Sequence, residues 1–340
     1  MTSTGPDVRT PAGILRLGNA FCDAQALLTA VELDLFTVLH AGPATEQEIQ
    51  ARLRLHGRGL SDWLRLLSAL GLVEHTNGQY RNTPGADRYL VLGHDAPLNG
   101  FLLGAKFSSY PVWDSLADAL RTGKPQAQGT FAQMVDNPAM LDRFARMMDG
   151  LTEVLGAELI RTFDWSAYHS VLDVGGCRGN LVAQLVTAYP NLDGHVFDLP
   201  QLAPLCAEYA DEVGMTGRVH FHPGDFFVDP LPTADVIVLG HILHDWTAGE
   251  REALVRKVYP AVNPGGALLV YDRMLADEPR SVENLAASIT MLLVTEGGSE
   301  YTVTELRHLV EAAGFGGVTS QSLDVYETLV VGRKSVRPAE

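Results

Sequence analysis

The sequence predicts an α/β protein, with a doubly wound parallel-sheet domain preceded by a smaller, mainly helical domain. Three observations carry this. Apolar residues recur at helical spacing over residues 11–95, strand-like and helix-like segments alternate after residue 165, and a glycine-rich turn joins the first of those strands to its helix. The chain has 340 residues, 46% of them hydrophobic, which is enough for two cores. Lys and Arg number 25 against 41 Asp and Glu, a net charge of −16 that predicts repulsion from phosphate backbones and no nucleic-acid partner. No run reaches the ~18 unbroken apolar residues of a membrane span, so no membrane partner is expected. The segment MTSTGPDVRTP lacks a basic region followed by an apolar run, and Cys22, Cys177 and Cys206 lack metal-ligand spacing. Both observations point to a cytoplasmic protein with reduced thiols.

Ile14, Leu15, Leu17, Phe21, Ala24, Leu27, Leu28, Val31, Leu35 and Val38 form a helical run closed by Gly42-Pro43. Thr45 with Glu48 is a capping box that opens the next helix. Leu60, Trp63, Leu64, Leu67 and Leu70 then share one stripe. Leu72-Val73-Glu74 and Gln79-Tyr80-Arg81, joined by Asn77-Gly78, predict a hairpin. Helices followed by a small hairpin suggest a winged helix. Between Thr45 and Leu90, however, six Arg face five acids, too weak a footprint for DNA. The apolar 11–39 segment is expected to pack on another subunit. Residues 96–155, rich in Phe, Met and Trp, read as connecting helices that either fill a core or wall an apolar ligand.

From residue 165 the grammar changes. Strands are expected at Ser170–Val174, Gly194–Phe197, Arg218–Phe221, Ala234–Leu239, Ala267–Tyr271, Val318–Leu323 and Thr328–Val331. Helices fall between them, two of them opened by the capping pairs Thr247 with Glu250 and Thr302 with Glu305. Asp173-Val-Gly175-Gly176-Cys-Arg-Gly179 follows the first strand, where a helix N-terminus and close backbone approach suit a ligand. Asp198 ends the second strand, placed to take ribose hydroxyls, and Asp225-Phe226 follows the third, suited to an adenine edge and face. Together they predict a nucleoside site at the carboxyl ends of the strands. His244 lies just past the fourth strand, and an imidazole there can accept a proton near neutral pH. His241, three residues earlier, falls on the opposite face if the segment is extended and reads as structural. Trp246 is expected to bury against the helix that follows.

DVGGCRG at 173–179, FDLP at 197–200, GDFF at 224–227, LHDW at 243–246, NPGG at 263–266 and GGSEYT at 297–302 occur in the order seen in S-adenosylmethionine-dependent methyltransferases. Over nearly its whole length the chain resembles the caffeate-type and actinobacterial natural-product O-methyltransferases. The resemblance implies a winged-helix dimerisation domain (1–95), a helical linker and substrate lid (96–160), a Rossmann-like methyltransferase domain (161–340) and a homodimer. It also implies S-adenosylmethionine as methyl donor, held by Gly175, Asp198, Asp225 and Phe226, with Asp173 supporting the loop. His244 aligns with the family's general base, and Asp272 and Glu300 with the acids that orient it. Asp272 is one methylene shorter than the Glu of plant members, which puts its reach in question. Gly240 stands where some members carry a donor-binding lysine. Met148, Met291 and Asp245 align with acceptor-pocket positions, and Phe144 and Met147 neighbour them; an apolar pocket of this kind suits a flat aromatic hydroxyl or carboxyl acceptor in natural-product biosynthesis. An alternative is metal-assisted carbon methylation of a 2-oxo acid, with His244, Asp245 and Glu296 as ligands.

Overall fold

A computed structural model describes residues 8–92, 98–127, 131–278 and 280–336. The chain divides into two compact units, Met1–Lys106 and Phe107–Glu340. No helix among the described residues is long and apolar enough to cross a membrane.

The first unit is mainly helical. The long apolar run is not one helix but three: α1 (Pro11–Gly18), α2 (Ala20–Glu32) and α3 (Leu35–His40). Asn19 caps between the first two, and Asp34 breaks the second join with a left-handed φ of 61°. A short strand β1 (Ala44–Thr45) leads into α4 (Glu46–Arg52), whose capping box of Thr45 and Glu48 is formed. After α5 (Leu60–Ala69), β2 (Val73–Thr76) and β3 (Gln79–Asn82) pair antiparallel. Asn77 and Gly78 both have positive φ, as a two-residue turn of this hairpin class requires. β1 completes a sheet of order β1-β3-β2. α6 (Pro84–Tyr89) and α7 (Leu98–Phe107) follow. Leu35, Phe36, Ile49, Leu64, Leu67 and Val73 form the core. Ile14, Leu15, Leu17 and Phe21 are instead 56–66% exposed and form an apolar stripe on α1 and α2.

The second unit begins with α8 (Ser109–Val112), α9 (Leu116–Thr122), α10 (Phe131–Val135) and the long α11 (Pro138–Thr162). Then come β4 (Ser170–Val174), α12 (Asn180–Ala188), β5 (Asp193–Asp198), α13 (Ala203–Glu212), β6 (Val219–Pro223), β7 (Ala234–Gly240), α14 (Ala248–Ala261) and β8 (Val262–Asp272). α15 (Val282–Val294), α16 (Val303–Ala312), β9 (Gly316–Ser322) and β10 (Thr328–Arg333) complete it. The seven strands run in the order β6-β5-β4-β7-β8-β10-β9. Alternate residues along each strand face opposite cores. Val171, Val196, Val236, Val238 and Leu269 pack with Leu155 and Leu159 of α11 and Leu181 and Leu185 of α12. Leu172, Val174, Ile237, Leu239, Leu268 and Val270 pack with Leu254 and Val258 of α14 and Leu306 and Val310 of α16.

The expectation of a parallel sheet holds for β4 to β8 and fails at the end. β10 pairs antiparallel with β8, and β9 antiparallel with β10. Only a short turn joins β9 to β10, too short for the crossover that parallel pairing needs. This reversal matters for the site. The parallel strands all end at one edge of the sheet, and the antiparallel β10 begins there, with Thr328 opposite Asp272. The strand order reverses between β5-β4 and β4-β7, so the glycine-rich turn after β4 sits at the switch point where such sheets bind ligands.

Candidate active site

The glycine-rich turn is built by alternating backbone handedness. Gly175, Cys177 and Gly179 all have positive φ, at 79°, 52° and 80°. The turn is fixed by its own N–H groups: Gly175 N donates to Phe197 O, Cys177 N to Asp198 Oδ2 and Gly179 N to Gly176 O, each at 2.8 Å. A Cβ on Gly175 would meet Ile242 Cδ1 at 2.2 Å, and one on Gly176 would meet Asp173 Oδ2 at 2.7 Å. Asp173 thus fills the space under the loop, as expected of a support. Burial, then the neighbouring Asp198 charge, pushes the Asp173 carboxyl up to about 7. Asp198 accepts from Cys177 N at 2.8 Å and from Leu199 N at 2.7 Å. Its pKa is pushed up to about 6, because desolvation outweighs those two bonds. Asp225 accepts from Phe227 N at 2.8 Å, which fixes the turn after β6. Trp246 is half-buried and lies edge-on to Phe226 (5.7 Å) and Phe227 (4.6 Å), so it packs with that turn's aromatics. Glycines free of Cβ and a buried carboxylate at the switch point fit the nucleoside portion of S-adenosylmethionine.

The loop after β7 carries His244. It makes a single 3-10 turn, Leu243–Asp245, held from several sides. Arg251 of α14 donates to Leu243 O at 2.9 Å and to Ser299 Oγ at 2.8 Å, and its guanidinium lies 4.7 Å over the Tyr301 ring. Ser299 N donates to His244 O at 2.8 Å. Gly298 is needed there, since a Cβ would meet His244 O at 2.5 Å. The GGSEYT segment therefore lies against the histidine loop, and Glu300 reaches His244 Nδ1 at 2.8 Å. Asp272 Oδ1 stands 3.4 Å from the same nitrogen, beyond a good hydrogen bond, while Tyr301 donates to Asp272 Oδ2. Asp245 Oδ1 is 3.8 Å from Nε2, on the more open side. Burial pulls the His244 pKa down, but Asp272, the Glu300 hydrogen bond and Asp245 outweigh it and raise it to about 10. Burial drives Asp272 well above the carboxylate range.

The structure brings His244, Asp245, Asp272 and Glu300 together as expected. Met291 lies on α15, which also carries Ser288, the acceptor of the Glu300 N–H at 3.2 Å. Phe144, Met147 and Met148 are half-buried on α11. That helix is tied to the glycine-rich turn by Asp149, which accepts from Arg178 at 2.7 Å. The position above Gly240 is occupied: a Cβ there would meet the Tyr271 ring at 2.1 Å, leaving no room for a longer side chain. The alternative metal set is not assembled. Glu296 is exposed, and the group whose candidate ligand atoms converge within 4.8 Å among the described residues is His241, His244 and Asp272.

His241 itself departs from the sequence reading. The segment is not extended there; φ is 54°, and the 3-10 turn follows at once. The two imidazoles therefore share a face, with ring centroids 5.4 Å apart. Arg251, Tyr301 and Glu327 were also not singled out by sequence. Tyr301 follows Glu300 in its motif, whereas Glu327 has no local signal, because it reaches the site through the antiparallel β10.

Comparison with known proteins agrees with this geometry. Residues 113–316 match the O-methyltransferase domain and residues 15–91 the O-methyltransferase dimerisation domain. The tetracenomycin polyketide synthesis 8-O-methyl transferase TcmO of Streptomyces glaucescens is 42% identical over 96% of this chain and 98% of its own. The N,N-dimethyltransferase OxyT of Streptomyces rimosus is 38% identical over 92% of each chain. Human N-acetylserotonin methyltransferase, solved in complex with S-adenosylmethionine, superposes with a TM-score of 0.88 at 28% identity, covering 98% of this chain and 100% of that one. The chain belongs to the O-methyltransferase family. It is an enzyme, and its methyl donor is S-adenosylmethionine.

Glu300 favours the protonated imidazole, so its loss should release the proton more easily. Glu300→Gln is expected to move the His244 titration to lower pH by about one pH unit. Nitrogen NMR of labelled histidines reads this directly, and an unmoved or raised midpoint would contradict the bond.

Proposed function

We propose that the enzyme methylates a hydroxyl oxygen on a small polycyclic aromatic acceptor, with His244 as general base. The observation that carries this reading is the buried His244–Glu300 pair at 2.8 Å, which commits Nδ1 to the carboxylate and leaves Nε2 for a substrate proton. The name of TcmO, a polyketide 8-O-methyl transferase, supports an aromatic hydroxyl as the acceptor. The half-buried Phe144, Met147, Met148 and Met291 supply an apolar, adaptable wall for a flat ring.

When bound, S-adenosylmethionine supplies a methyl group already activated by the sulfonium charge, a charge that also disfavours a nearby imidazolium. Asp198 accepts the ribose hydroxyls, Asp225 and Phe226 take the adenine edge and face, and Gly175 admits the donor to the backbone. The apolar wall excludes water and orients the ring, and Asp245 lines its polar rim. In its neutral form His244 keeps the Nδ1 proton directed at Glu300 and leaves Nε2 bare; the imidazolium reaches that form by releasing its Nε2 proton to solvent, which the sulfonium charge favours. Its Nε2 then takes the hydroxyl proton, and Glu300 and Asp272 stabilise the imidazolium formed.

The reading divides the chain into a winged-helix-like dimerisation domain (1–95), a linker and lid (96–160) and the methyltransferase domain (161–340). The exposed Leu15, Leu17 and Phe21 within the matched dimerisation segment, with Ile14 just before it, support a homodimer built on α1 and α2.

Three measurements test this. With labelled S-adenosylmethionine and a panel of polycyclic phenols, the label should appear on oxygen, and His244→Ala should lower turnover about 100-fold with donor affinity kept. Label on an amine nitrogen, or undiminished turnover, would overturn the assignment. Asp198→Ala should weaken donor binding about tenfold by calorimetry, with wild-type affinity declining as pH falls through about 6 and the carboxylate is lost. Leu15→Asp should shift sedimentation towards monomer; an unchanged dimer would move the interface elsewhere.

A further inference from the structure

Asp272 Oδ1 lies between two imidazoles. It is 3.4 Å from His244 Nδ1 and 3.8 Å from His241 Nδ1, and it has no hydrogen-bond partner. The other oxygen, Oδ2, is taken by Tyr301. His241 is buried and held in a left-handed backbone conformation, and its Nε2 also lacks a partner. Facing that nitrogen at 3.9 Å is Glu327 Oε1, itself bonded to Arg273 Nε at 3.1 Å. The groups around His241 are therefore Tyr271 and Asp272 from the end of β8, Arg273 just after it, Glu327 just before β10, and His244 from the 3-10 turn.

We propose that His241 is a positioning residue that shares Asp272 with His244 and so sets the pH at which His244 is free to accept a proton. The inference rests on His244 as the base. A neutral His241 that carries its proton on Nδ1 directs it at Asp272 Oδ1. That offsets part of the carboxylate charge and loosens its hold on the His244 proton. Glu327 Oε1 faces Nε2 from 3.9 Å, and burial pushes its carboxyl up to about 7 against the pull of Arg273, so the negative charge on that side of His241 is reduced. Burial, with the His244 and Arg273 charges adding to it, keeps His241 neutral, well below the ordinary imidazole range. A backbone φ of 54° is a sparsely populated conformation for histidine, and here it brings the second imidazole onto the face of the first.

The test uses two substitutions compatible with that backbone. His241→Gly deletes the imidazole where glycine fits the positive φ, and His241→Asn restores a donor near Nδ1. In His241→Gly the acid limb of kcat/KM for a phenolic acceptor should move up by about one pH unit, a roughly tenfold loss at pH 7 that vanishes on the alkaline plateau. The His244 imidazole titration followed by NMR should move the same way, and His241→Asn should return both towards wild type. A loss of equal size at every pH, an unmoved limb with an unmoved titration, or no recovery in His241→Asn would overturn the proposal. Full activity in His244→Ala would instead sink the base assignment, while the NMR titration would still report on the sharing of Asp272.

Discussion

One nitrogen organises this molecule's chemistry. His244 Nδ1 is held by Glu300 at 2.8 Å and faced by Asp272 at 3.4 Å, in a place from which water is largely excluded. Unpaired, each of these charges would be costly to bury. Paired, they make an imidazole that holds a proton strongly and keeps its Nδ1 side committed to the carboxylates. Much of the surrounding structure serves that pairing. Arg251 bridges the histidine loop to the Ser299 segment, Gly298 removes the Cβ that would push them apart, and Tyr301 occupies the spare oxygen of Asp272.

The sheet supplies the convergence. Parallel β4, β5, β6, β7 and β8 deliver the glycine-rich turn, Asp198, Asp225, the histidine loop and Asp272 to one edge. Helix α11 spans both regions of the proposed site. It carries Phe144, Met147 and Met148, and its Asp149 is paired with the Arg178 of the donor turn. Burial raises the Asp149 carboxyl to about 6 even against that arginine, so the pair is held by geometry as much as by charge.

Most of the fold was legible because its signals are local. The three capping boxes, at Thr45, Thr247 and Thr302, each formed, since a side chain and an N–H three residues apart decide them. The Asn77-Gly78 turn formed for the same reason. The joins within 11–39 were not legible, because helical periodicity continues through a single left-handed residue such as Asp34. The direction of β10 was hidden too, since an apolar strand reads alike either way. His244 and Glu300 were found in ordered motifs, one past a strand end and one in a glycine-bearing loop, and Asp272 through its place at the end of the fifth strand and the family resemblance. Glu327 and the inward turn of His241 have no such marker. One depends on strand direction and the other on a φ that spacing alone assigned wrongly.

The shorter acid at position 272 connects these findings. The extra methylene of a glutamate would let it reach the imidazole directly. Asp272 stops short, so Glu300 alone makes the orienting bond and Asp272 acts through its charge. Stopping short also leaves Oδ1 without a fixed partner, within reach of a second imidazole. A buried carboxylate oxygen with no partner is an expensive thing to keep unless something shares its charge. His241, with Glu327 behind it, is placed to do so, and it can be there only because β10 runs antiparallel and delivers Glu327 to the same edge. The departure from a uniformly parallel sheet, the strained backbone at His241 and the missing methylene are therefore three parts of one arrangement, through which the proton affinity of His244 is set from behind.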